Sequence, residues 1–275
     1  MNAPVASEND LRLVADLVRS ESGIQIKESN SYLIETRLGP LLEELSVSSY
    51  QQLCQRSRMD PRVLNRVIDE ISTSETLFFR DKTPFDCLKF KLIPDFMDKT
   101  AGRAERLSIW CAACSTGQEV YSVALACAEV LSPAELARVQ IIGTDISDQS
   151  IRRASSGVYS QFEVERGFPV DQRQRYLERD GDRWRVRENL RSIVSFRHMN
   201  LLEGYEKLGK FDVVFCRNVA IYFDAATNRD IFERIALQLK PDGSLVIGAS
   251  ESLRDLNLVF ERQEYMNSVF YKRRY

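Results

Sequence analysis

The chain reads as an α/β protein: an all-helical N-terminal domain, then a mostly parallel sheet with helices on both faces and a small antiparallel insertion. Three observations predict this. Residues 10–70 carry apolar positions at helical spacing with glycine only at Gly23 and Gly39. From about Leu107, short apolar runs alternate with helical stretches, the signature of buried parallel strands and crossover helices. Between Ser155 and Leu190 the alternation breaks, and Asp180-Gly181-Asp182 followed by a strand-like WRV marks a hairpin.

In the helical part the apolar positions run Leu11, Val14, Leu17 and Val18, then Leu33, Leu38, Leu41 and Leu42, then Leu53, and last Val63, Leu64, Val67 and Ile68; Asp60-Pro61 is a helix start. The strands are expected at 107–110, 139–145, 193–196, 211–216 and 244–249. The domain boundaries that follow are 1–75 for the helical domain, 76–275 for the sheet domain and 158–192 for the insertion. In open α/β sheets ligands bind beyond the carboxyl ends of the strands, where strand order reverses, so the chemistry is expected just after each apolar run.

Composition narrows the function. Of 275 residues, 44% are apolar and 28% charged, and 38 basic against 40 acidic residues give no basic surplus, which argues against a nucleic-acid surface. Positions 1–70 hold eight basic and eleven acidic residues, so bulk charge does not mark a docking face there. The six cysteines are scattered and the N-terminal MNAPVASEND lacks the basic and apolar regions of a signal peptide, consistent with reduced thiols in a cytoplasmic protein. No run approaches the roughly 20 apolar residues that span a bilayer, so no membrane insertion is expected.

Chemistry gathers at the strand ends. Ser115-Thr116-Gly117-Gln118-Glu119 is a small-residue turn feeding a helix that carries an early carboxylate; it lacks both the dinucleotide G-x-G-x-x-G and the Walker Gly-Lys-Ser/Thr. Asp145, ending GTDIS, is placed to accept hydrogen bonds from two ribose hydroxyls, although Asp145 or Ser147 would equally serve as a helix N-cap. A ribose carboxylate without diphosphate glycines points to an adenosyl cofactor lacking phosphates, S-adenosyl-L-methionine. Asn200 is a short amide beyond a strand end, suited to an adenine edge, and Arg217-Asn218 with Tyr222 follow FDVVFC, with Asp224 as a cap for the next helix. Ser74, Thr76, Phe78, Phe79 and Arg80 cluster at the junction of the two domains, as a lid or as a core seam. Cys111-Ala-Ala-Cys114 has metal-ligand spacing, but with His198 the only histidine a structural zinc set is not expected.

The segments ISTSETLFFRD (71–81), IWCAACSTGQEVYSVA (109–124), GTDIS (143–147), SSGVY (155–159), NLLE (200–203), FDVVFCRNVAIYFD (211–224) and LKPDGSLVIGASESL (239–253) together resemble the CheR family of chemotaxis receptor methyltransferases, in family order. The resemblance implies a Rossmann-like S-adenosyl-L-methionine-dependent methyltransferase domain behind a helical receptor-recognition domain. It also implies methyl transfer to the γ-carboxylate of receptor glutamates, leaving S-adenosyl-L-homocysteine. Carried over by motif, Ser74, Thr76, Arg80, Glu119, Asp145, Asn200, Leu201, Arg217 and Asn218 would hold the cofactor, with Arg80 and Tyr222 at the transfer centre and no metal. The partner would be the cytoplasmic helical bundle of methyl-accepting chemotaxis receptors, placing the enzyme in the cytoplasm at membrane-associated arrays. Two features depart from the family pattern. Ser74-Glu75 stands where an asparagine is common, and the RDGDRW hairpin is shorter than in members that bind a C-terminal pentapeptide tether, implying no dependence on one. The competing classes are a noncatalytic adaptor on the same fold and a methyltransferase for another substrate.

Overall fold

The structure, a computed structural model, describes residues 6–27, 31–101 and 103–274. The expected domain boundaries at residues 1 and 275, and the first half of MNAPVASEND, lie outside the described residues. Four helices form the front: α1 (Glu8–Ser22), α2 (Tyr32–Glu44), α3 (Tyr50–Met59) and α4 (Pro61–Ile71). Their starts are written locally. Ser7 and Asp10 form a capping box on α1, Ser49 caps α3, and Asp60 caps α4 with Pro61 in its first turn. Their apolar faces close a core of their own, centred on Val14, Leu38, Leu53 and Val67, all fully buried.

The second part begins with α5 (Thr83–Cys87), a π-helical turn over Leu88–Leu92, and α6 (Ile93–Lys99), a helical stretch that the periodicity reading did not resolve. There follow β1 (Leu107–Ala112), α7 (Gln118–Val130), α8 (Pro133–Leu136), β2 (Val139–Asp145), α9 (Asp148–Ser156), β3 (Val158–Tyr159), α10 (Gln161–Glu165), α11 (Arg173–Tyr176), β4 (Leu177–Asp180), β5 (Arg183–Val186), α12 (Glu188–Arg191), β6 (Val194–His198), β7 (Phe211–Cys216), α13 (Ala225–Gln238), β8 (Leu239–Ile247), β9 (Phe260–Tyr265) and β10 (Ser268–Arg273). The main sheet has the order β6-β2-β1-β7-β8-β10-β9; its first five strands are parallel, and β10 runs antiparallel between β8 and β9. Strand order reverses between β1 and β7, so the ends of β1, β2 and β7 open onto one crevice.

Both faces of the sheet are covered. One packs on α7 and the α5–α6 segment through residues such as Ile109, Val123 and Phe215; the other packs on α13 through Trp110, Val214 and Ile235. In the small β3-β5-β4 sheet, β4 and β5 are joined through the two-residue turn at Gly181-Asp182, and the sheet shares the first of these cores through Tyr159, Leu177 and Val186. Strand β8 begins earlier than the apolar run indicated, at Leu239, because a bulge across 240–243 lets the Lys-Pro-Asp-Gly segment pair irregularly with β7. Strands β9 and β10 were not foreseen: β9 reads FERQEY, and as the sheet edge it needs few apolar residues. No helix among the described residues is long and apolar enough to cross a membrane.

Candidate active site

The crevice at the strand-order reversal is a cleft of about 1030 Å³, its open mouth included. Six stretches of chain wall it: the end of α1, the linker after α4, the ends of β1, β2 and β7, and the loop after β6. The helical domain is therefore a wall of the cleft and not an appendage. It is fixed there by Arg19 Nη2 on Asp224 Oδ2 (2.9 Å), Gln25 N on the Tyr222 carbonyl (2.8 Å), and Asn200 Nδ2 on the Glu21 carbonyl (2.7 Å). From the other side α4 meets α9, where Asn65 Nδ2 reaches Asp148 Oδ2 (3.3 Å) and Asp69 Oδ1 accepts from Gln149 N (3.3 Å).

Asp145 sits at the end of β2. Its Oδ2 accepts from Ser115 N (2.8 Å) and its Oδ1 from Ser147 N (2.9 Å), which ties the ends of β1 and β2 together. Ser147, not Asp145, is the N-cap of α9. Burial pushes the Asp145 carboxyl above its ordinary value, and those two N–H donors hold it back. With one backbone donor on each oxygen, the carboxylate keeps lone pairs for two adjacent hydroxyls of a ligand.

Arg217, at the end of β7, is 1% exposed in its side chain. Its Nη1 donates to Glu119 Oε2 (2.8 Å), and its Nη2 donates to Asp81 Oδ2 and to the Arg80 carbonyl (both 2.8 Å). Phe85 lies under the guanidinium, 5.5 Å from ring centre to Cζ. Arg217 thus lines the cleft while two of its nitrogens organise the protein around it, and its Nε is buried without a partner among the described residues. Burial raises the Glu119 carboxyl, and Arg217 is the main influence opposing that rise. The neighbouring Arg80 lines the cleft with its Nη1 on the Glu75 carbonyl (3.2 Å), a bond that leaves its charge unpaired with any carboxylate among the described residues.

Of the residues singled out from sequence, Thr76, Arg80, Glu119, Asp145, Asn200, Leu201, Arg217, Asn218 and Tyr222 all line this one cleft. Ser74 does not. Its hydroxyl shares a 3.2 Å hydrogen bond with Ser150 on α9, and the side chain is exposed outside the cleft. Asn200 lines the wall, but its amide is engaged on both sides, donating to Glu21 and accepting from Leu202 N (3.0 Å). Phe78 and Phe79 form a seam: Phe78 is edge-on to Tyr159 and Phe168 (5.0 and 5.1 Å), and Phe79 to Phe85 (5.1 Å). Gly117 is needed for helix packing and not for ligand approach, since a Cβ there would meet Ala154 Cβ at 2.8 Å and the Tyr159 hydroxyl at 2.9 Å. Cys111 and Cys114 are free thiols whose ionisation burial opposes.

Sequence reasoning missed the backbone of the site. Ala113 (φ 53°), Ser115 (φ 50°), Asn218 (φ 58°), Phe79 (φ 51°) and Asp81 (φ 64°) are left-handed without being glycine, at a cost of order 1–3 kcal/mol each. Asn218 and Asp81 are of types that favour this conformation, whereas nothing in residue type marks Ala113, Ser115 or Phe79. It also missed Ser22 and Ile24 from the helical domain, whose place on the wall depends on docking alone.

The cleft fits an adenosyl sulfonium cofactor. Asp145 keeps lone pairs beyond its two backbone donors, Glu119 sets a carboxylate at the pocket wall, and Ser115 lines it with a buried Oγ that lacks a partner among the described residues. Fold and cleft together define a class, the S-adenosyl-L-methionine-dependent methyltransferases. Residues 9–72 match the family described as CheR methyltransferase, all-alpha domain, and residues 74–269 match CheR methyltransferase, SAM binding domain. Over 257 residues the chain is 40% identical to Chemotaxis protein methyltransferase Cher2 of Pseudomonas putida, covering 91% of this chain and 92% of that protein. It is 39% identical over 272 residues to Chemotaxis protein methyltransferase 1 of Pseudomonas aeruginosa, covering 97% and 98%. With Chemotaxis protein methyltransferase 1 of Vibrio cholerae it shares 38% over 280 aligned positions, 99% of each chain. The chain belongs to the CheR methyltransferase family of protein-glutamate O-methyltransferases.

Proposed function

We propose that this enzyme methylates glutamate side chains on the helical cytoplasmic bundle of methyl-accepting chemotaxis receptors, and that Asp145, Arg80 and Tyr222 are its principal working side chains. The observation that carries the reading is a single cleft holding a ribose-competent carboxylate, an arginine not paired to a carboxylate among the described residues, and a wall supplied by the helical domain. Bound S-adenosyl-L-methionine supplies an electrophilic methyl carbon and ends as S-adenosyl-L-homocysteine. The glutamate nucleophile is ionised near pH 7, because its ordinary pKa is about 4.3, so the protein needs no general base. Its task is placement, which can be worth up to about 7–11 kcal/mol when reactants are held in line.

Asp145 holds the ribose from the end of β2. Glu119 and Arg217 neutralise each other beneath the pocket and fix the Arg80 turn in place. Arg80 guides the incoming carboxylate at the mouth, and Tyr222 borders the transfer point. The helical domain is the receptor-recognition unit, since a glutamate on a long helical bundle must be carried to a recessed cleft that this domain walls. The β4–β5 hairpin, with its two-residue turn, supports recognition without a C-terminal pentapeptide tether. The test is incubation with tritiated S-adenosyl-L-methionine and receptor cytoplasmic fragments, with and without their C-terminal tails, followed by peptide mapping. Labelled glutamates on the bundle with both fragment types are expected. No label on any fragment would overturn the receptor assignment, and label only on tailed fragments would overturn tether independence.

A further inference from the structure

Glu251 lies in the loop after β8 and is absent from the lining of the cleft, yet its carboxylate gathers four backbone N–H groups. Oε2 accepts from Asn218 N (2.9 Å) and Gly248 N (2.7 Å); Oε1 accepts from Val219 N (3.1 Å) and Ala220 N (2.9 Å). We propose that Glu251 is a positioning residue for methyl transfer: it clamps the 218–222 turn, and so sets Asn218 and Tyr222 at the cleft. The inference rests on the methyltransfer reading of that cleft.

Three observations carry it. The four N–H groups come from the ends of two neighbouring strands, β7 and β8, and converge as an anion seat that the protein fills from within. The seat is shaped for the carboxylate, since a Cβ at Gly248 would meet Glu251 Oε2 at 2.6 Å and Asn218 Nδ2 at 2.8 Å. Finally, the clamped turn is strained where it matters: Asn218 is left-handed at φ 58° and lines the cleft, and Tyr222 closes the same turn. N–H bonds to a carboxylate are the stronger kind, so one side chain can hold that backbone against relaxation. Glu251 also sits close enough for its charge to oppose ionisation of Glu119.

Glu251→Gln keeps the shape but turns one oxygen into a donor, so two of the four N–H groups lose their acceptor. The full-length wild type, Glu251→Gln, Tyr222→Phe and the double variant would be compared by hydrogen exchange, S-adenosyl-L-homocysteine calorimetry and methyl transfer to a receptor fragment. The expected result has four parts. Exchange in the 218–220 amides speeds at least tenfold, and product analogue still binds one per chain with Kd within threefold. The kcat per binding site falls tenfold or more, and the same change costs less than threefold in the Tyr222→Phe background. A merely structural role would lower the binding stoichiometry, or cost the same factor in both backgrounds, and either result overturns the proposal. So does unchanged exchange, or a kcat within twofold of wild type. Should Glu251→Gln fail to fold, Glu251→Asp, which keeps the charge one methylene short, is expected to show the same pattern at intermediate size; wild-type behaviour in it overturns the clamp. A wild-type protein that binds the analogue but methylates no fragment counts against the receptor reading, while the exchange comparison still decides the clamp.

Discussion

Asp145 and Arg80 line the same cleft, and in the proposed mechanism the first would hold the cofactor while the second would steer the incoming carboxylate. Replacing Asp145 by Asn leaves an acceptor for only part of its network, and a hydrogen bond to a charged group is worth about 1.5–3 kcal/mol. The Kd for S-adenosyl-L-homocysteine, read by calorimetry, should therefore rise by at least about tenfold. Its pH dependence has a defined sign. Burial raises the Asp145 carboxyl, and the ligand needs the ionised form, so affinity falls on acidification through a pH above the ordinary 3.8 of an aspartate. A raised carboxyl contributes stability that is fully present below the unfolded value and lost as pH rises through the folded one, so in thermal melts of the ligand-free protein the stability of wild type relative to Asp145→Asn should fall as pH rises across that window. For Arg80→Ala the expected outcome is a kcat lowered by about a hundredfold with product-analogue Kd nearly unchanged, the signature of lost positioning. A fully active Arg80→Ala enzyme would remove that arginine from the mechanism.

Between elements, Arg217 is the bolt that joins β7, α7 and the turn before α5. Its partners Glu119 and Asp81 are 12% and 36% exposed, so removing the arginine strands one largely buried carboxylate and one half-exposed one. Arg217→Met should lower stability by about 3–5 kcal/mol in urea unfolding, as for other broken buried pairs, whereas Arg19→Ala, at an exposed pair, should cost less than about 1 kcal/mol. Elements with strong local signals were readable in advance. The run VQIIGTD is a strand over 139–145 and FDVVFC a strand over 211–216, because a strand covered on both faces must be apolar throughout. Asp60-Pro61 and Asp224 begin helices as expected, because a side-chain acceptor beside an orphan N–H is a local event. The edge strand β9 and the α5–α6 segment went unread, the first because an edge carries little apolar signal and the second because a π-helical turn over Leu88–Leu92 breaks the 3.6-residue period.

For the whole molecule, the docking of the helical domain decides what the cleft can admit. Ser22 and Ile24 reach its wall only because α1 is held against the β7 turn through Arg19, Gln25 and Asn200. A photocrosslinker placed on the exposed faces of α1 to α4 is accordingly expected to capture the receptor bundle near its methylated glutamates. Crosslinks confined to the β3-β5-β4 sheet would assign recognition to the insertion instead.

The sequence by itself determined the α/β class, the helical front, the hairpin and nine of the side chains that line the cleft, because strand-end chemistry and capping are short-range and written in residue type. It misplaced Ser74, which the approach of α9 draws to Ser150. Tertiary structure alone decided that Arg217 serves the protein through Glu119 and Asp81, that Asn200 ties the two domains, and that Glu251 clamps the 218–222 turn. Those partners stand 98, 136, 179 and 33 residues apart, and a bond across such a separation exists only when packing has brought its two ends together.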